Sequence, residues 1–134
     1  MRVLIADDNP AEILITRLIL EELRPGITIQ EARNGMEALE KLGHGSRPEH
    51  PATTEIDLVL LDVNMPAMTG IEVLQALQGV QHPPIVVLTS SAEVCRRGEP
   101  LQLGAEDCRL KPMDLVHNEH LLREIADRWV PTSG

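Results

Sequence analysis

Leu58-Val59-Leu60-Leu61-Asp62 is the stretch on which the fold turns: four apolar residues in a row, ending in an acid. A strand with one wet face alternates polar and apolar residues, so an unbroken short apolar run describes a strand buried on both faces. The same form recurs along the chain. Val3-Leu4-Ile5-Ala6 runs into Asp7-Asp8, and Ile27 to Ala32 reads as a second strand. Pro84-Ile85-Val86-Val87-Leu88-Thr89 ends in a hydroxyl residue, and the short Cys108-Arg109-Leu110 leads to Lys111-Pro112.

Amphipathic segments fill the intervals. Asn9-Pro10 supplies a capping side chain and a first-turn proline for a helix to Arg24, where Pro25-Gly26 stops it. Its core face is read as Leu14, Ile15, Leu18 and Ile19, which leaves Ile13 and Leu20 opposite. Met36, Ala38, Leu39 and Leu42 mark a second helix, and Ile71, Leu74 and Leu77 a third. A helix over 92–103 is weakened by Gly98 and Pro100. The last carries Leu115, Leu122, Ile125, Ala126 and Trp129 on one stripe, with Leu121 off it. Residues 43–55 show no apolar period and contain two prolines, and are read as a long surface loop. Strict alternation of five strands with helices implies an α/β doubly wound parallel sheet covered on both faces.

Composition narrows the function. The 134 residues suit one domain, 1–134, and are 43% apolar, yet Trp129 is the only aromatic among Phe, Tyr and Trp, so the core must be aliphatic. Twelve basic against 21 acidic residues give a net charge of −9 with no basic cluster, which argues against nucleic acid as a direct partner. No run approaches the ~20 apolar residues of a membrane span and no signal peptide is evident, so no membrane partner and a cytoplasmic location are expected. Two cysteines, Cys95 and Cys108, make neither a disulfide framework nor a zinc site, and are read as reduced thiols.

In sheets of this kind ligands bind beyond the carboxyl ends of the strands. Those ends present Asp7 and Asp8 after the first strand, Asp62 after the third, Thr89 after the fourth and Lys111 after the fifth. Three converging carboxylates repel one another unless a cation compensates, and hard oxygen ligands few in number suit Mg2+. A hydroxyl and an ammonium opposite them can hold an anionic oxygen. Acids, metal, lysine and hydroxyl around one spot make a phosphoryl-transfer site. Taken singly, each has a duller role: Asp8 or Asn9 as a helix cap, Asp62 as a turn residue, Thr89 as a loop hydroxyl, Lys111 as a solvated ammonium. Their common position at one sheet edge is what speaks against coincidence.

Ala6-Asp7-Asp8-Asn9, Leu60-Leu61-Asp62-Val63-Asn64-Met65-Pro66 with Gly70 four residues on, Leu88-Thr89-Ser90-Ser91 and Leu110-Lys111-Pro112 together resemble the receiver domain of two-component response regulators, the CheY-like family. The resemblance spans nearly the whole chain. It implies a flavodoxin-like (βα)5 sheet in the order 2-1-3-4-5, with Asp62 accepting a phosphoryl group from a phosphohistidine on a sensor histidine kinase. It further implies that Asp7, Asp8, Asp62 and the main-chain carbonyl of Asn64 hold Mg2+. Thr89 and Lys111 would take phosphoryl oxygens, and the Lys111–Pro112 bond would be cis. Such a protein is no enzyme beyond its own phosphorylation and dephosphorylation. The 43–55 loop and the ending Glu124-Ile125-Ala126-Asp127-Arg128-Trp129-Val130 resemble the stand-alone receivers served by phytochrome-type kinases, which makes a bacteriophytochrome the candidate kinase.

Two departures from the family pattern stand out. Cys108 occupies the position, three before Lys111, where most receivers carry Tyr or Phe, and the 92–103 helix is weak. Cys108 is too small to act as a rotating side chain, so switching is expected to run through Thr89-Ser90-Ser91, with Cys108→Ala nearly silent. Spare apolar helix surface at Ile13, Leu20, Leu121 and Trp129 points to a homodimer through the last helix and the fifth strand. A haloacid dehalogenase-type phosphatase would need a second acid two residues after its nucleophile, where this chain has Asn64, and its nucleophile would follow the first strand. An FMN carrier of flavodoxin type would need a Ser/Thr/Gly-rich phosphate loop where Asp7-Asp8 stands. His117 and His120 share a helical face without evident metal partners.

Overall fold

The computed structural model describes residues 1–43 and 55–132. Five strands, β1 (Arg2–Ala6), β2 (Thr28–Ala32), β3 (Leu58–Asp62), β4 (Ile85–Thr89) and β5 (Asp107–Leu110), form one parallel sheet in the order β2-β1-β3-β4-β5. Helices α1 (Pro10–Leu23), α2 (Gly35–Lys41), α3 (Gly70–Ala76), α4 (Ala92–Arg97), α5 (Glu99–Gln102) and α6 (Leu115–Trp129) connect and cover it. This is the flavodoxin-like doubly wound fold. Of the expected 43–55 loop, residues 44–54, with His44 and His50, lie outside the described residues.

Alternation of side chains along the central strands builds two cores. Leu4, Ala6, Val59, Leu61, Ile85 and Val87 face one side, against Ala38 and Leu39 of α2 and Val73 and Leu74 of α3. Val3, Ile5, Leu58, Leu60, Val86 and Leu88 face the other, against Ile13 and Leu20 of α1 and Leu121, Leu122, Ile125 and Ala126 of α6. Every residue of β3 and β4 is buried, as their unbroken apolar runs require.

The helix faces need correction. Ile13 and Leu20 are the buried residues of α1, whereas Leu14 and Leu18 are more than half exposed. Six apolar side chains between Ile13 and Leu20 run almost round the helix, so periodicity could not select the inner stripe. Leu121 of α6 is likewise core and Leu115 is exposed. The twofold contact expected from Ile13, Leu20 and Leu121 therefore loses those residues to the protomer's own interior.

The expected 92–103 helix is two helices. Gly98 takes a left-handed conformation (φ 73°), closes α4 and starts α5, where Pro100 stands in the first turn and needs no helical hydrogen-bond donor. Nor are the cysteines free. Cys95 of α4 and Cys108 of β5 form a disulfide, with Cα atoms 5.5 Å apart. They stand thirteen positions apart in sequence, and only the fold of α4 back along β5 makes them neighbours.

Candidate phosphoryl-transfer site

Strand register assembles the acidic cluster. Ala6 of β1 pairs with Leu61 of β3, so Asp7 and Asp62 follow side by side at the carboxyl edge. Asp7, Asp8 and Asp62 each place a carboxylate oxygen within 4.8 Å of the others, with Asp7 and Asp62 buried and Asp8 exposed. All the donors are hard oxygens, and one of the acids opens to solvent. The cluster thus fits a divalent cation that keeps part of its water shell.

Local structure fixes each acid in place. Asn9, rather than Asp8, caps α1: its side chain accepts from the main-chain N–H groups of Ala11 and Glu12. Asp7 Oδ1 accepts from Asn9 N–H at 3.0 Å, and Asp7 N–H donates to the Ala32 carbonyl at 3.0 Å. Asp8 is therefore spared a capping duty. Beyond Asp62, Gly70 N–H donates to the Val63 carbonyl at 2.9 Å, and a Cβ on Gly70 would collide with the Asp62 carbonyl. That close approach explains the glycine four residues after Pro66. The Thr69–Glu72 capping box then starts α3 immediately behind the site.

Lys111 reaches into the cluster from β5. Its Nζ donates to Asp7 Oδ2 and to Glu12 Oε2, both at 2.8 Å, and lies 3.3 Å from Asp62 Oδ2. Burial alone would lower the pKa of this ammonium; hydrogen bonds to Asp7 and Glu12 and the charge of Asp62 outweigh it and hold it above the ordinary lysine value. Asp62 shifts the other way from a normal acid. Burial raises its carboxyl, Lys111 partly offsets that, Asp7 adds repulsion, and the result is a pKa pushed up to about 6. A charge pattern of this kind, with a crowded carboxylate beside a firmly protonated lysine, marks a site prepared for another charged species.

The other expected residues divide. Thr89 is fully buried at the end of β4, and its Oγ1 accepts from Ser91 N–H at 3.1 Å; its carbonyl accepts from Lys111 N–H at 2.7 Å. Asn64 is exposed, and its N–H donates to Asp62 Oδ1 at 3.4 Å. The structure thus gathers Asp7, Asp8 and Asp62 into one cluster, with Lys111 on Asp7 and Asp62 and Thr89 tied to Lys111 by main chain. Lys111–Pro112 is trans, against the expected cis bond, and the described residues contain no cis peptide; trans is the form X–Pro bonds intrinsically favour. Nothing in the sequence singles out Glu12, since a glutamate in a first helical turn is common for reasons of helix polarity alone. A cavity of about 150 Å3 reaches Asp62 and Lys111 from the α1 and α6 side, past Ile5, Ile15, Leu60 and Leu121. His117 pairs with Asp114, the cap of α6, at 2.7 Å from Nδ1 to Oδ2, and takes no part in the site.

The chain is similar to known proteins in sequence and in fold. The model of the response regulator receiver domain family matches residues 3–125. The CpxR homolog of Haemophilus influenzae, a transcriptional regulatory protein, is 38% identical over 84% of this chain and 44% of its own length. The chain spans about half the length of such curated relatives. Among solved structures, the phosphorylated cyanobacterial phytochrome response regulator RcpA shares the fold, with a TM-score of 0.85 at 24% identity over 99% of this chain and 96% of that one. The bacteriophytochrome response regulator AtBRR is 30% identical, with a TM-score of 0.74 over 99% of this chain and 96% of that one. Strand order, acidic edge and family match agree, and the chain belongs to the response regulator receiver domains of two-component signalling.

Proposed function

We propose that this receiver takes a phosphoryl group from a sensor histidine kinase onto Asp62. The observation that carries this reading is the placement of Asp62: buried at the carboxyl end of β3, 3.3 Å from the Lys111 ammonium and clustered with Asp7 and Asp8. In the transfer a carboxylate oxygen of Asp62 bonds to phosphorus as the bond from phosphorus to the kinase imidazole breaks, leaving the imidazole neutral after protonation. Asp7, Asp8, Asp62 and the Asn64 carbonyl would hold Mg2+, which when bound supplies charge neutralisation for the incoming oxygens. Lys111 gives up part of its contact with Asp62 to a phosphoryl oxygen, and Thr89 turns its hydroxyl from Ser91 to another. The chain catalyses no reaction but its own phosphorylation and dephosphorylation.

The protein acts in the cytoplasm, and its kinase is of the phytochrome type. What favours that partner is the likeness to AtBRR, which runs almost end to end in both chains. A homodimer is the form in which it signals.

Incubation with acetyl phosphate and Mg2+ is expected to give a hydroxylamine-labile adduct that Asp62→Asn abolishes. An undiminished adduct in that variant would overturn the assignment of Asp62. Phosphotransfer from a bacteriophytochrome kinase, faster than from an unrelated histidine kinase, tests the partner.

A further inference from the structure

We propose that Cys95 and Cys108 are a reversible redox site, served by a dithiol-class reductant, whose state decides whether α4 is fastened to β5. The disulfide crosses from the middle of α4 to the edge strand, and both residues are only half-buried. Its importance comes from how little else holds α4. None of the helix's six residues is fully buried, and Ser91 at its start makes no side-chain cap. The ion pairs of Glu93 with Arg96 and Arg97 lie within the helix and fasten it to nothing. Val94 alone of the helix's other residues packs against the core. At its far end the helix ends at Gly98, and the chain passes into the four-residue α5, where only Pro100 is buried. Six residues are far too few for a helix to persist by itself in water.

Beside the packing of Val94, two attachments hold the helix, one helical turn apart. The Thr89 hydroxyl takes the N–H of Ser91, and the disulfide takes Cys95. Cys108 lies beside Val87 in the sheet, two residues from the Thr89–Leu110 pair, so both attachments converge on one corner of it. Where a receiver of this family usually places an aromatic ring, this chain places a covalent bond that can be made and broken. In a reducing compartment most such bonds are transient, and sensing rather than structural.

The exchange balances without further reagents. A thiolate of the dithiol attacks one cysteine sulfur, the Cys95–Cys108 bond breaks, and a mixed disulfide forms. The second thiolate resolves it, leaving the reductant as a disulfide and the protein with two thiols, two electrons and two protons having been transferred. Reoxidation is the same exchange in reverse. An effect on signalling rests on the role proposed for Thr89; the redox step itself does not.

The test uses the whole chain, oxidised with glutathione disulfide or reduced with dithiothreitol. Alkylation followed by mass spectrometry is expected to add nothing to the oxidised protein and two groups to the reduced one. Amide hydrogen exchange over 92–97 is expected to quicken at least tenfold on reduction. Cys95→Ser, a change at a half-buried helix position, should exchange fast with or without dithiothreitol. Two alkylated thiols after oxidation, or unchanged exchange over 92–97 after reduction, would overturn the proposal. Asp62→Asn should keep the full response to dithiothreitol, so a failure of the phosphoacceptor reading leaves this result standing.

Discussion

Asp62 is held in a position that costs the folded protein stability. Its pKa rises from 3.8 to about 6, chiefly through burial, so the native state binds this proton more tightly than the unfolded chain does. The associated stability is fully present below pH 3.8 and is lost as pH rises through 6. Two units correspond to at most about 3 kcal/mol. In chelator, Asp62→Asn is therefore expected to be more stable than the parent at pH 7.5 and no more stable at pH 3.5, measured by urea unfolding at both values. A parent that is the more stable at pH 7.5 would show that Lys111 more than compensates the burial.

Asp8 makes the complementary case. Because Asn9 caps α1, Asp8→Ala has no cap to remove and should shift thermal stability little. As a ligand, it should lower Mg2+ affinity at least tenfold. Loss of stability on the scale of a lost cap, about 1 kcal/mol, with unchanged metal titration would assign Asp8 to the helix instead.

Among the elements, α4 and α5 depend on a single backbone position. Gly98 sits at φ 73° with open space where a Cβ would project, so Gly98→Ala meets no steric clash and pays only for the left-handed conformation. About 1–2 kcal/mol of destabilisation is expected, read from denaturant midpoints. A larger loss would mean that the break at Gly98 also sets the path of β5.

What could be read from the sequence at this scale follows burial symmetry. β3 and β4 are buried on both faces, and their unbroken runs of four apolar residues read as strands of that kind. Asp7, Asp62, Thr89 and Lys111 were legible for a related reason: parallel strands of similar length put their last residues at one edge. Helix α1 was not legible in the same way. Ile13, Leu14, Ile15, Leu18, Ile19 and Leu20 leave no polar side wide enough to mark the outside, and packing against α6 chooses the Ile13–Leu20 stripe. The Cys95–Cys108 pair was hidden too, because it depends on the return of α4 along β5, and Glu12 because its partner Lys111 lies 99 residues away.

For the whole molecule, burial in the protomer takes Ile13, Leu20 and Leu121 out of the proposed twofold contact. With Ile13, Leu20 and Leu121 inside, apolar surface on the β5 side remains at Leu110 and Leu101, each about half exposed, and at Leu115 and Val116 where α6 begins. β5 is an edge strand, and among the described residues no strand pairs along its outer side. Its Asp107 and Arg109 offer opposite charges two residues apart, so an antiparallel twofold would set each against its opposite in the partner. Arg109 is already shared between Asp107 and Glu124, so the charges would fix register more than affinity. A dimer is expected by light scattering at high micromolar concentration, and Leu110→Glu should reduce it to monomer without loss of helical circular dichroism, since Leu110 supports no core in the protomer. A monomer in both the unphosphorylated and phosphorylated states would refute dimerisation. A dimer indifferent to Leu110→Glu would place the contact elsewhere, with exposed Leu14 and Leu18 of α1 as the next surface to change.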